Sequence, residues 1–285
     1  MTQNDNRSKL AGGSNAKTIA VVNQKGGVGK TTTCVNLATS LVAVGKKVLI
    51  IDLDPQGNAS TGLGIASNDR NVTIYDALIG DCQASSAVFS TIVPHLDIIP
   101  ATMDLSGAEI ELVSIENREF CLKNALTEAQ GAYDYIMIDC PPSLGLLTLN
   151  ALTASDSVLI PLQTEFYAME GLSHLMKTIE LVKQRLNTSL TVQGIVLTML
   201  DKRNQISRQI EWDVRDYFGS LVYKTVIPRN VRVSEAPSHG KPAIIYDKKC
   251  TGSRAYIRLA GELIRREKAT NKKTQKSKQQ TKEVA

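Results

Sequence analysis

A doubly wound, mostly parallel α/β sheet with helices on both faces is the fold class that the sequence predicts, on three observations. Short, near-continuous apolar runs recur along the chain, as strands covered on both faces require. Stretches with helical spacing separate them. The alternation runs from residue 18 to 267 with no internal repeat and no Pro/Gly/Ser-rich linker, which favours one domain. Alternation of this kind builds one sheet with right-handed crossovers. Residues 18–23 (TIAVVN) read as the first strand. A Gly-rich turn follows, and Val35, Leu37, Ala38, Leu41 and Val42 then mark a helix that stops at Gly45. Further strands are expected at 48–53, 96–100, 135–139, 157–162 and 192–200, with a last one at 223–227; helices are expected at 106–128, 169–186, 205–218 and 253–267.

Composition narrows the class. Of 285 residues, 42% are hydrophobic and 5% aromatic, enough for a well-filled aliphatic core. The net charge of +5 lies at the ends: residues 268–285 carry six Lys against one Glu, residues 1–17 carry a net +2, and the body between them is left at −2. Nucleic-acid binding by the body therefore needs a local patch. The polar leader 1–17 and the lysine-rich tail 268–285 are expected to be disordered, with solubility and DNA contact both open as roles for the tail. No run approaches the ~18 apolar residues of a membrane span, and the leader lacks a signal peptide's apolar stretch, so a cytosolic protein is expected. Cys34, Cys82, Cys121, Cys140 and Cys250 are scattered without C-x-x-C spacing and read as buried thiols of a reducing compartment.

The chemistry concentrates in Lys25-Gly26-Gly27-Val28-Gly29-Lys30-Thr31-Thr32, between the first strand and the first helix. The run matches G-x-x-x-x-G-K-[ST] except that Gln24 stands where the first glycine belongs. Gly26, Gly27 and Gly29 let backbone N–H groups converge on phosphate oxygens at a helix N-terminus. Lys30 is placed for the β- and γ-phosphates and Thr31 for magnesium, so ATP and Mg2+ are the expected ligands. Asp139 ends an apolar run (YIMID) and is placed to hold the magnesium hydration shell; Asp52 and Asp54 flank the loop after the second strand, within reach of the γ-phosphate. An aspartate at a strand end is as readily a turn or a cap, so these roles lean on the loop beside them. Lys25 lies too near the strand end to swing easily onto its own γ-phosphate.

This irregular loop resembles the deviant Walker A motif of the ParA/MinD group of P-loop NTPases. DLDPQGNAS at 52–60, IDCPPSLGLLTLNAL at 138–152 and TVIPRNVRVSEAPSHGKP at 225–242 extend a resemblance to the chromosomal ParA (Soj) partition ATPases over residues 18–268. The resemblance implies a homodimer sandwiching two ATP molecules, with Lys25 crossing into the partner's site to neutralise transition-state charge. It makes Lys25, Lys30 and Asp54 catalytic, Asp54 by orienting water. It gives Thr31, Asp52 and Asp139 to the metal, and Pro228 and Asn230, with the loop 25–32, to the nucleotide. Arg203 and Arg232 match the basic positions of a face that binds double-stranded DNA without sequence preference, with Lys202, Lys248 and Lys249 nearby. It further implies weak ATPase activity raised by a ParB-like partner, on a nucleoid-associated protein carrying chromosome or plasmid. A MinD-like, membrane-recruited switch is the alternative; the chain end disfavours it, since polar, lysine-rich sequence follows Ile264 with no second apolar stripe. A scaffold that keeps ATP only for structure, and an iron–sulfur reductase using Cys140, are two more; no second cysteine supports the last.

Overall fold

Burial of the apolar runs on both sides sets the sheet. The computed structural model describes residues 16–283, with side chains described as far as Thr270. Seven strands, β1 (Lys17–Val21), β2 (Val48–Asp52), β3 (Phe89–Ser90), β4 (Leu96–Ile99), β5 (Tyr135–Asp139), β6 (Ser157–Gln163) and β7 (Thr191–Thr198), form one sheet in the order β3-β4-β2-β5-β1-β6-β7. All pairings are parallel except that of β3, a short edge strand antiparallel to β4. Every residue of β2 and β5 is buried. Their side chains alternate between two cores: Leu49, Ile51, Ile136 and Ile138 on one face, Val48, Ile50, Tyr135 and Met137 on the other. Each such aliphatic side chain contributes about 1.5–3 kcal/mol by leaving water.

Helices fill both faces. They are α1 (Lys30–Val42), α2 (Asn58–Gly62), α3 (Ile74–Ile79), α4 (Leu105–Glu111), α5 (Cys121–Ala125), α6 (Leu146–Ala154), α7 (Ala168–Arg185), α8 (Gln205–Phe218), α9 (Val231–Glu235), α10 (Ala243–Tyr246) and α11 (Thr251–Glu283). Leu37 and Leu41 of α1 share a core with Tyr256, Leu259 and Leu263 of α11. Residues of α3 to α8 pack the opposite face. The doubly wound sheet expected from the sequence is the observed architecture.

Two expectations need correction. The single helix at 106–128 is two, α4 and α5, because Asn117 adopts a left-handed φ of 56° between them. Asn150 satisfies the interrupted backbone: its Oδ1 accepts from the Leu122 N–H at 3.0 Å and its Nδ2 donates to the Arg118 carbonyl at 2.9 Å. The expected strand at 223–227 is an irregular segment beside β7. The Tyr223 and Ile227 N–H groups donate to the Ile195 and Leu197 carbonyls, both at 2.8 Å. Between them Glu262 draws the chain off the sheet edge, accepting from the Lys224 and Thr225 N–H groups at 2.8 and 2.9 Å. Past Glu267, where the last expected helix ends, α11 continues. No glycine or proline follows that residue, and the backbone stays helical to Glu283 through the segment expected to be disordered. The expected leader lies outside the described residues up to 15; Ala16 is buried and Lys17 belongs to β1. Among the described residues no helix is long and apolar enough to cross a membrane.

The segment beside β7 lies close to it because residue 194 is glycine. Gly194 has φ +151°, and a Cβ there would sit 2.5 Å from Tyr223 Cε2 and 2.7 Å from the Leu221 carbonyl oxygen. Gly194→Ala is therefore expected to cost about 2–3 kcal/mol of stability, measured as a lowered urea midpoint; an unchanged midpoint would remove the close approach as a constraint.

Candidate nucleotide-binding site

The loop 25–32 connects β1 to α1 at the carboxyl edge of the sheet, where open α/β sheets bind ligands. Gly27 and Gly29 hold φ of 75° and 85°, left-handed conformations that side chains resist, and Gly29 caps α1. Neighbouring strands anchor the loop. The Asn23 Nδ2 donates to the Pro161 carbonyl at 2.7 Å, while the Asn23 Oδ1 accepts from the Lys25 N–H at 3.0 Å. From the end of β7, the Thr198 hydroxyl donates to the Val28 carbonyl at 2.8 Å. The cradle is thus held by β6 and β7 rather than by glycine geometry alone.

Lys30, the first residue of α1, is buried, and its Nζ donates to the Lys25 carbonyl at 3.2 Å. Burial pulls its ammonium below the usual lysine range, and the charges of Asp139 and Asp54 oppose that pull. Asp139 and Asp52 are register partners at the ends of β5 and β2, and Val21, at the end of β1, pairs with Asp139 on the other side. Both carboxylates are fully buried. Burial, with Asp52 beside it, holds the Asp139 carboxyl well above the ordinary range, against the Thr31 hydroxyl and the Lys30 charge. Both Asp139 oxygens are buried, and apart from a marginal approach of the Thr31 hydroxyl neither has a hydrogen-bond partner. An orphaned carboxylate beside a lysine, a threonine hydroxyl and a phosphate-type loop fits a magnesium–nucleotide ligand, and Thr31 and Asp139 are the residues that would hold the metal.

Asp52 is already hydrogen-bonded within the chain. Its Oδ2 accepts from the Ser60 N–H at 2.8 Å and the Ser60 hydroxyl at 2.7 Å, and its Oδ1 from the Asp54 N–H at 3.4 Å. Burial pushes its pKa up to about 6 despite these bonds. Asp52 thereby anchors the loop that carries Asp54. Asp54 is itself nearly buried, and its Oδ1 accepts from the Gln56 N–H at 3.0 Å, leaving Oδ2 as the free oxygen.

The structure places the remaining expected residues less uniformly. Pro228 is half-buried and bridges to Leu200, just past β7. Asn230 is already committed: its Oδ1 accepts from the Val233 N–H at 3.3 Å as the cap of α9, and its Nδ2 donates to the Thr251 hydroxyl at 2.9 Å. Both ends of its side-chain amide are thus engaged within the chain. Arg203 grips Asp201 through both Nε and Nη2, at 3.0 and 2.8 Å, and Arg232 pairs with Glu235 at 3.0 Å. Both are exposed, where such pairs are worth about 0–1 kcal/mol. Lys25 is exposed too, and its Nζ pairs with Glu165.

The comparisons with known proteins agree with this geometry. A family model described as an AAA domain matches residues 16–192. The chromosome partitioning protein ParA of Caulobacter vibrioides is 57% identical over 254 residues, covering 88% of this chain and 95% of that protein. The chain belongs to the ParA/Soj family of partitioning ATPases. The sporulation initiation inhibitor protein Soj of Bacillus subtilis is likewise 57% identical, over 247 residues, covering 87% of this chain and 98% of Soj. Among solved structures, cobyrinic acid a,c-diamide synthase from Mycobacterium smegmatis with bound ADP and magnesium superposes with a TM-score of 0.79 at 38% identity, covering 90% of this chain and 96% of that one. The septum site-determining protein MinD of Pyrococcus horikoshii, complexed with Mg-ADP, gives 0.71 at 27% identity, covering 87% and 96%. Fold and P-loop are shared across proteins whose names differ, so function has to be argued from the site.

Sequence reasoning missed Glu165, Ser60, Thr198 and Arg70. The first three lie far from their partners along the chain or carry no pattern of their own. Arg70 is a buried guanidinium donating to the Ile65 and Ala101 carbonyls and to the Thr61 hydroxyl. Because the Asp139 oxygens have no partner beyond that marginal approach of Thr31, Asp139→Asn is expected to stabilise the nucleotide-free chain by about 1–3 kcal/mol in urea unfolding at pH 8, while abolishing magnesium-dependent hydrolysis. Lost stability would contradict the orphaned carboxylate.

Proposed function

We propose that this family member is an ATP-dependent partition switch: ATP drives two chains together, the dimer binds double-stranded DNA without sequence preference, and partner-stimulated hydrolysis releases it. The observation that carries this proposal is the position of Lys25. It stands at the exposed mouth of a loop whose other lysine, Lys30, is buried toward Asp139 and Asp54. Two lysines of one loop thus face different surroundings, one inward to its own phosphates and one outward. A surface pair with Glu165, at 46% and 45% side-chain exposure, restrains Lys25 only weakly, so a second subunit's phosphates can compete for it.

Within one subunit the loop amides and Lys30 hold the phosphates, Thr31 and Asp139 hold magnesium, and Asp54 orients water with its free oxygen. Asp52 and Ser60 keep the Asp54 loop in place. Bound magnesium supplies charge neutralisation to the phosphate oxygens. Intrinsic turnover is slow because the trans lysine arrives only in the dimer. Arg203 and Arg232 lie on segments joined by the Leu200–Pro228 bridge and the Arg229 N–H to Leu200 carbonyl bond at 3.3 Å, so both flank one rim of the site. Dimerisation doubles these weak phosphate contacts, coupling nucleotide state to DNA affinity. Self-association, duplex DNA and a ParB-like protein are the partners of this cycle, and the nucleoid in the cytoplasm is its location. Membrane recruitment is disfavoured: the described side chains of α11 end on exposed Arg265, Lys268 and Ala269, not on an apolar stripe.

DNA retention by the purified chain with ATP, with ADP and without nucleotide, across a salt series, tests this function. ATP-selective and salt-sensitive retention is expected, and Asp54→Ala should hold DNA with ATP without releasing it. Retention indifferent to nucleotide, or unchanged hydrolysis by Asp54→Ala, would refute the switch.

A further inference from the structure

We propose that the outward face of α11 is a second duplex-DNA contact surface, one that engages phosphates in every nucleotide state. The inference rests on the DNA-binding function proposed above and adds a surface that Arg203 and Arg232 do not include. Tyr256, Leu259 and Leu263 turn one side of α11 into the core against α1. On the opposite side, at spacings of four, seven and three, stand Arg254, Arg258, Arg265 and Lys268. At 3.6 residues per turn these four lie within about 80° of one another around the helix. All four are exposed, and none forms an ion pair among the described residues. The acidic residues of this part of α11 are engaged elsewhere. Glu262 takes the Lys224 and Thr225 N–H groups and Arg266, and Glu267 accepts from the Tyr135 hydroxyl at 2.6 Å. The helix backbone continues to Glu283.

The length suits a duplex. Arg254 to Lys268 spans ~21 Å at ~1.5 Å per residue, a little over half a turn of B-DNA. Thr251, at the start of the helix, is bonded to Asn230 beside Arg232, so the stripe begins next to the DNA-binding rim proposed above and runs away from it. Further along, Arg258 and Arg265 line a groove with Lys17, Lys46 and Lys224, and also with Asp134, Glu262 and Glu267; Lys46 is paired with Asp134, and the basic residues outnumber the acidic ones. A bilayer suits the face less well: the apolar side of α11 is occupied by α1, which leaves nothing to insert between lipids. Unpaired arginines and lysines on a regular helix read phosphate charge, not sequence.

The test compares the full wild-type chain with the variant Arg254→Gln/Arg258→Gln/Arg265→Gln/Lys268→Gln in fluorescence anisotropy titrations of a mixed-sequence duplex, with ATP and without nucleotide, across a salt series. Affinity should fall about tenfold or more in both states, and the slope of log K against log salt should become shallower by about one for each phosphate that is no longer neutralised. Replacing the three arginines by lysine should restore both. If wild type shows ATP-selective retention and the glutamine variant matches it in affinity and slope, the α11 surface is overturned while the partition switch stands. If wild type binds no duplex under any condition, both fall. Equal loss of binding to phosphatidylserine vesicles and to DNA would overturn the nucleic-acid assignment. Circular dichroism of the variant checks that the helix persists.

Discussion

Three parallel strands that end in register create the problem on which this molecule is built. Pairing of β1, β5 and β2 sets Val21, Asp139 and Asp52 side by side, so the strand that launches the phosphate loop ends against two fully buried carboxylates. Burying such groups costs several kcal/mol apiece unless something compensates. Asp52 is compensated internally by two Ser60 donors; Asp139 is not. The fold therefore holds one uncompensated buried carboxyl next to Lys30 and Thr31. A magnesium–nucleotide complex relieves that cost, which links occupancy to the stability of the sheet centre.

The same register explains why the loops around the site are tied down by side chains rather than by sheet bonds. Ser60 secures the turn after β2, Thr198 secures the phosphate loop from β7, and Arg70 ties the turn at Ile65 to Ala101 beyond β4. Each of these segments lies at the carboxyl edge, where strand pairing has ended. By contrast Lys25 and Glu165 hold each other only at the surface. The site thus combines a tied-down phosphate loop with a lysine held only by a surface ion pair.

How much of this is legible in the sequence follows from range. Apolar runs and the loop 25–32 are local signals, so the strands, the order of fold elements and the positions of Lys30, Asp54 and Asp139 can be read directly. The edge strand β3 is two residues long and offers no period to detect. The break between α4 and α5 depends on Asn150, some thirty residues further on. The bonds of Asp52 to Ser60 and of Asn230 to Thr251 could not be foreseen, because neither partner carries a motif that announces a bond. The departure of residues 224–225 from the β7 edge is caused by Glu262 in the last helix, a contact no local pattern predicts. Long-range hydrogen bonds, not hydrophobic pattern, account for these differences.

A two-chain nucleotide sandwich completed by Lys25 is the active form proposed for this protein. Light scattering of Asp54→Ala, with ATP and with ADP, alongside the double variant Lys25→Ala/Asp54→Ala, tests it most directly. Twice the chain mass is expected with ATP and not with ADP, falling back toward the single-chain mass when Lys25 is also replaced. A mass that does not depend on nucleotide, or a stable ATP dimer without Lys25, would contradict it.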